Sequence, residues 1–228
     1  MQAFISSPHP GGCVSARRFL EEVRGSMEGL NRQILDSPFI GDAEAGVLPL
    51  DRVRLFVENQ LYIVGHDIRS LAVMVGRSSS MEEASYFTKL QNGDLEAFKA
   101  LTEMAEELDV EVGRLRLIPA AAAYTHYLAW LALYANPGEQ AFALIVNLPV
   151  WGAACKRLSE ALKKRYKVRS TGFLDLFGET PGWVEEEGLQ IVERYLAASR
   201  ARMEVSAKMI QGYEAMFWDA VYRMNPLM

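Results

Sequence analysis

The sequence predicts an all-α fold, a single-domain helical bundle of about seven to eight helices. Three observations carry this. Apolar residues recur at three- and four-residue steps over long stretches, helix punctuation separates those stretches, and no segment shows a convincing period-two alternation, a hairpin turn pair or an internal repeat. The connections are mostly short and none reads as an interdomain linker, so the helices should close on one core.

Residues 1–14, with their Pro and Gly content, read as a loose leader, and the folded domain is assigned to 15–228. Leu20, Val23, Met27, Leu30 and Ile34 then step along a first helix that "DSPF" at 36–39 stops with a proline. A second helix runs from about Pro49 to Gly76, with Val53, Phe56, Val57, Val64, Ile68 and Leu71 on one stripe and Gln60 on that same stripe. "SSMEEA" sets Ser80 three residues before Glu83, a capping-box arrangement, and "NGD" at 92–94 interrupts the helix that this cap opens, so 81–108 reads as two helical pieces. The stretch from Leu117 to Ala135 approaches membrane-spanning length, yet it holds Pro119, His126 and several Tyr or Trp groups that need polar partners, and it reads as a buried helix. After "NPG" at 136–138 a helix spans roughly 138–165, with a looser Gly-containing segment, 168–179, beyond it. Thr180 as N-cap and Pro181 at the first helical position open a last helix that continues as far as Asn225.

Half of the 228 residues are apolar, ample for a sizeable core. With a net charge of -5 and no Lys/Arg run longer than "KKR" at 163–165, nucleic acid is not an expected partner, and neither is a membrane. Cys13 and Cys155 are too few for a disulfide framework, which points to a reducing, cytoplasmic setting with free thiols and leaves room for at most one disulfide.

The three histidines, His9, His66 and His126, form no His/carboxylate pair at the helical spacing that metal sites in bundles use, and His66 and Asp67, being adjacent, point to different faces. His66 or His126 would be the axial ligand of a haem, against the commoner fate of a core or surface histidine. There is no G-x-G-x-x-G, no phosphate loop and no G-x-S-x-G turn. No metal and no cofactor are expected.

What remains is a set of polar groups on apolar stripes: Gln60, Tyr124 and Glu214. Glu214 is in helical register with Ile210, Phe217 and Val221, and a buried carboxylate costs several kcal/mol unless hydrogen-bonded or protonated. Either it lies at a stripe edge and reaches solvent or a surface Arg, or it lines a cavity. Tyr124 has the same two readings, and Gln60 is either a loop cap or part of that cavity.

Three stretches resemble the TenA/thiaminase II family. In "SPFIGDAEAGVLPLDRVRLFVENQLYIV", 37–64, the Pro-Phe pair, Gly46, Leu48-Pro49 and Tyr62 match the family's second-helix region. "AAAYTHYL" at 121–128 is similar to its alanine-tyrosine-threonine pattern, with "NLPVWGAAC" at 147–155 where the family has a proline-cysteine-aromatic segment. "YEAMFWDAVYR", 213–223, has the tyrosine-glutamate, Phe-Trp and Tyr-Arg that close TenA chains.

The likeness covers about residues 30–224 and implies the helical fold shared with haem oxygenase and the pyrroloquinoline quinone synthase. It implies that Glu214 is the catalytic glutamate at an aminopyrimidine and that Tyr124 and Tyr62 belong to the pocket region. The departures matter as much. The family's ring-holding aspartate falls on Gln60, and its nucleophilic cysteine on Val150, or on Pro149 if the tryptophans are aligned; neither can do covalent catalysis. A later pocket tyrosine is replaced by Phe173, and Cys155 reads as a core thiol.

The resemblance implies three candidate functions. One is a salvage hydrolase for an amino-substituted nitrogen heterocycle, thiamin-related, with Glu214 as acid/base and water as attacking group. The second is a non-catalytic ligand-binding or regulatory protein. The third, a cofactorless oxidase like the quinone synthase, needs several His and Arg groups that this sequence does not cluster. A pocket holding one Glu with Gln and aromatics favours a small, nearly neutral ring, in a chain that is not a standard thiaminase II and that forms a homo-oligomer, a dimer or tetramer.

Overall fold

In the computed structural model, which describes residues 15–226, all regular structure among the described residues is helical. The order is α1 Ala16–Ser26, α2 Glu28–Leu35, α3 Pro38–Ala45, α4 Leu50–Arg77, α5 Met81–Glu107, α6 Pro119–Tyr134, α7 Pro137–Ala161, a π-helical turn Leu162–Tyr166, α8 Gly172–Gly178 and α9 Gly182–Arg223. The leader assigned to 1–14, with Cys13, lies outside the described residues.

The first apolar stripe is two helices, not one. Gly25 and Ser26 are weak helix formers, the Ser26 hydroxyl donates back to the Val23 carbonyl, and the chain turns at Met27, whose side chain stays buried while α2 sets off from it. Conversely, "NGD" does not interrupt α5. A glycine inside a helix costs about 1 kcal/mol against alanine, less than the burial of one large apolar side chain. α5 buries Tyr86, Phe87, Leu101 and Met104 on both sides of Gly93. At its start the Ser80 hydroxyl accepts the Glu83 N–H at 3.3 Å, and the Glu83 carboxylate accepts the Ser79 N–H at 2.7 Å, one residue earlier than in the usual box.

α6 is buried on one face only, through Ala121, Thr125, Leu128 and Leu131, while Trp130, Leu133 and Tyr134 are exposed. The helix Pro137–Tyr166 is long and apolar enough to cross a membrane by length and composition, but 67% of its most apolar window is buried inside the protein. α7 makes its broadest contact with α9, a single helix of 42 residues. Pro181 caps α9 and Gly182 begins it; Thr180 instead donates to the Leu148 carbonyl at 3.3 Å.

Two features of α7 shape the space beside it. Pro149 stands inside the helix and has no N–H for the Ile145 carbonyl; Arg24 Nη2 supplies the donor at 2.8 Å. Gly152 lets the last turn of α8 come close: a Cβ there would lie 2.4 Å from the Phe177 carbonyl oxygen. The segment read as loose, 168–179, is therefore a short helix pressed on α7. Asp175 holds it, accepting from Ser159 at 2.6 Å, Lys163 at 2.8 Å and Thr171 at 2.9 Å.

The core has two apolar clusters. One gathers Phe39, Phe56, Trp151, Phe217 and Trp218; the other Phe19, Leu71, Tyr86, Leu128 and Phe142. Tyr124 packs against both.

Candidate functional site

A cavity opens where the two clusters meet. α4 supplies Gln60, Val64 and Asp67, α5 supplies Leu90 and Asp94, and α6 supplies Tyr124 and Leu128. Leu144, Leu148 and Trp151 of α7, Phe177 of α8, and Glu214 and Phe217 of α9 complete the wall. About 70 Å³ is open to the centres of water-sized molecules. One water needs about 10–15 Å³ on that measure, so the space suits several waters or one small ring.

Glu214 is 2% exposed. Its Oε2 accepts from the Asn147 amide, and its Oε1 faces the Trp218 indole N–H at 3.4 Å. Asn147 also donates to Gln211 Oε1 at 2.7 Å and accepts the Tyr124 hydroxyl at 2.8 Å, while Gln211 donates to Asn31 at 2.7 Å. An amide chain thus runs from α2 through α9 to α7 and fixes both Glu214 and Tyr124. Burial pushes the Glu214 carboxyl up to about 8, against the opposing pull of the Asn147 and Trp218 donors. The Tyr124 hydroxyl is held above its usual range, by burial first and then by the charges of Asp67, Glu214 and Asp94, so it remains a neutral donor.

Asp67 and Asp94 form a second acidic region. Asp67 accepts the Thr125 hydroxyl at 2.5 Å; burial and then the charge of Asp94 raise it well above the ordinary aspartate range. Asp94 is half-buried, and desolvation lifts it to about 7. The three carboxyls do not converge: among the described residues no group of three or more His, Cys, Asp or Glu side chains is arranged to hold a metal ion.

Of the residues singled out from the sequence, Glu214, Gln60 and Tyr124 meet on the cavity wall. Val150 does not line it. The α7 positions that do are 144, 148 and 151, on steps of four and three, and Val150 falls off that stripe, half-buried against the first cluster. Tyr62 also lies off the cavity, its hydroxyl 3.2 Å from His126 Nε2 and its ring 4.1 Å from that of His66. Phe173 sits behind the wall, edge-on to Trp151 and Phe177. Cys155 is fully buried outside the lining, its thiol pushed up by burial and by the charge of Glu214, as suits a core thiol.

The sequence reading missed Asp67, Asp94 and Asn147. The wall therefore holds three carboxyls and, among the described residues, no Lys, Arg or His, where the sequence led to the expectation of one Glu with Gln and aromatics.

The family model described as TENA/THI-4/PQQC family matches residues 24–224. Comparison with curated proteins gives no match. Among solved structures, a TenA homologue from Pyrococcus furiosus is similar with a TM-score of 0.74 and 20% identity, over 90% of this chain and 100% of that one. A Sulfolobus solfataricus protein proposed as a TenA-like thiaminase gives 0.71 at 16% identity, over 92% of this chain and 98% of that one. Heme oxygenase-1 from the cyanobacterium Synechocystis gives 0.63 at 12% identity, over 88% and 90%. At such identities the likeness is one of fold, the all-α haem oxygenase-like arrangement.

Proposed function

The chain belongs to the TENA/THI-4/PQQC family, and on that premise we propose that its cavity takes a small nitrogen heterocycle, of the aminopyrimidine or thiamin-related kind, and hydrolyses a carbon–nitrogen bond with Glu214 as acid and base. The observation that carries this reading is Glu214 itself: a carboxyl on a cavity wall, oriented by Asn147 and Trp218, with burial setting its proton affinity at about 8. A carboxyl of that affinity is mostly protonated near neutrality and gives up or regains its proton at small cost.

The step balances without a thiol. A water oxygen bonds to the ring-side carbon, the carbon–nitrogen pair leaves with the nitrogen, and that nitrogen takes the Glu214 proton. Glu214 then recovers a proton from the added water. Water is the attacking group because no Cys, Ser or Lys is on the wall among the described residues. Tyr124 and Gln60 orient the ring, the first through a hydroxyl oxygen left free to accept while its hydrogen goes to Asn147, the second as an amide that both donates and accepts.

The test is thermal unfolding with hydroxymethyl-aminopyrimidine, its aminomethyl analogue and thiamin, together with an ammonia-release assay on the aminomethyl compound. A ligand at about 100 times its dissociation constant adds roughly 2.7 kcal/mol, a plain rise in midpoint. The expected result is such a rise, lost in Glu214→Ala, and ammonia release that Glu214→Gln abolishes. No shift with any of the three would overturn the heterocycle reading, and thiamin cleavage at ordinary thiaminase rates would overturn the assignment as a non-standard member. The same absence of a wall nucleophile favours a second reading, ligand binding without turnover, which predicts the midpoint rise and no ammonia.

A further inference from the structure

We infer that Asp67 and Asp94 form a subsite for a protonated primary amine carried on a small aromatic ring. The inference takes from the proposed function only that the cavity is a ligand site, and it adds the charge of the group bound there.

The first support is a set of carboxyls that no cation accompanies. Three carboxyl groups line the cavity, and no Lys, Arg or His does so among the described residues. Buried acids normally stand beside a cation or spend their oxygens on donors. Elsewhere this chain obeys that rule: Glu58 is met by Arg116 at 2.9 Å and Glu139 by Arg202 at 2.9 Å. Asp94 has no side-chain hydrogen bond or ion pair among the described residues, and Asp67 spends one oxygen on Thr125 and leaves the other without a donor.

The second support is independent of the acids. Gln60 is 4% exposed, lines the cavity, and makes no side-chain hydrogen bond among the described residues. It shares a helix face with Asp67, two turns away on α4. An amide on the cavity wall that spends neither its donors nor its acceptor on the protein marks a place that a polar ligand completes.

The acids also stand on different helices of the wall, Asp67 on α4, Asp94 on α5 and Glu214 on α9. The charge of Asp94 is felt at Asp67, whereas burial, Asn147 and Trp218 set the behaviour of Glu214. Only Tyr124, between them, responds to all three. An ammonium offers three donors, which suits the free oxygens of Asp67 and Asp94, and half-buried Asp94 keeps the charge near solvent. The indole of Trp151 and the ring of Phe217 give the aromatic part its faces.

Benzylamine and benzyl alcohol are the probes, because they share a ring and differ in one charged group. Titration calorimetry near neutral pH, where the amine is protonated, compares both on the wild-type chain and on Asp67→Asn, Asp94→Asn, the double variant and Glu214→Gln. Asn at 67 retains an acceptor for Thr125. The expected result is a preference for the amine of about tenfold or more, the ratio that one good charged contact gives. Each Asn variant should reduce it, the double variant should erase it, and benzyl alcohol should bind the wild-type chain without such a preference. Glu214→Gln should keep the preference. Equal binding of the two probes, binding of neither at millimolar concentration, or a preference that survives in the double variant would overturn the inference. A protein that prefers benzylamine and ignores the aminopyrimidines keeps this subsite and loses the proposed heterocycle; the converse keeps the heterocycle and loses the subsite.

Discussion

Arg24 Nη2 donates to the Ile145 carbonyl at 2.8 Å, the acceptor that Pro149 leaves without a helical donor four residues on. A residue of the first helix thus repairs a gap in the middle of α7, three residues from the cavity wall at Leu148. Arg24→Ala should lower stability by about 1–3 kcal/mol, the cost of leaving a buried carbonyl unpaired. In a Pro149→Ala background the backbone amide takes over, so the same substitution should cost less. Arg24 also pairs with Glu185 at 2.7 Å, and the urea-unfolding cycle removes that contribution because it is common to both backgrounds. Equal costs in the two backgrounds would show that the two residues are not coupled.

Glu214, Asp94 and Asp67 all bind protons more tightly in the folded chain than in the unfolded one. Between the unfolded values near 4 and the folded values, about 7 for Asp94 and about 8 for Glu214, the folded state carries more protons, so stability falls as pH rises. This contribution is fully present below the unfolded values and gone above the folded ones. The thermal midpoint should be higher at about pH 5.5 than at about pH 8.5, and Glu214→Gln should flatten the upper part of that decline. An unchanged slope in Glu214→Gln would mean that Glu214 titrates as an ordinary carboxylate.

A methyl group at position 152 meets backbone, the Phe177 carbonyl oxygen at 2.4 Å, so α8 must give way. Gly152→Ala is expected to destabilise by about 1–3 kcal/mol and to move Phe177 off Trp151, whose rings now lie 6.0 Å apart. Tryptophan fluorescence and urea unfolding read both effects. Gly212→Ala is the control, with nothing within 4 Å of the added carbon; it should be neutral or stabilise by up to about 1 kcal/mol. If both alanines behave alike, the contact between α8 and α7 is looser than the geometry requires.

α6 presents Trp130 stacked on Tyr127 and next to Tyr134, with Leu133 exposed beside them. Self-association, proposed for this chain as a dimer or tetramer, would bury that row. Light scattering should give a multiple of the 25.5 kDa chain mass, and Trp130→Glu with Leu133→Glu should lower it. A monomer at micromolar concentration would remove the proposal.

The helices were legible because long apolar stripes speak for themselves, and so was Glu214, a carboxylate in register with Ile210, Phe217 and Val221. Asp94 was hidden by its neighbours: "NG" reads as a break, and only the burial of Phe87 and Leu101, about two turns to either side, shows that the helix runs through and turns Asp94 inward. Asp67 was readable, since it stands seven residues after Gln60 and three after Val64 on one face, but its pairing with His66 drew attention to metal chemistry instead. Asn147 was equally readable between Leu144, Leu148 and Trp151. The displacement of Val150 from the wall was not, because a helix of mostly apolar residues gives no sequence signal for which of its faces meets a cavity.

The two oxygens of Glu214 both look at donors, the Asn147 amide and the Trp218 indole, and among the described residues neither meets an acceptor. When the carboxyl is protonated, its hydrogen therefore has no partner in the protein. The surrounding amides, each already committed to a neighbour, cannot turn to receive it without breaking the chain that runs to Asn31. On the proposed function, that proton is held for the first acceptor to arrive in the cavity, a ring nitrogen or a departing amine.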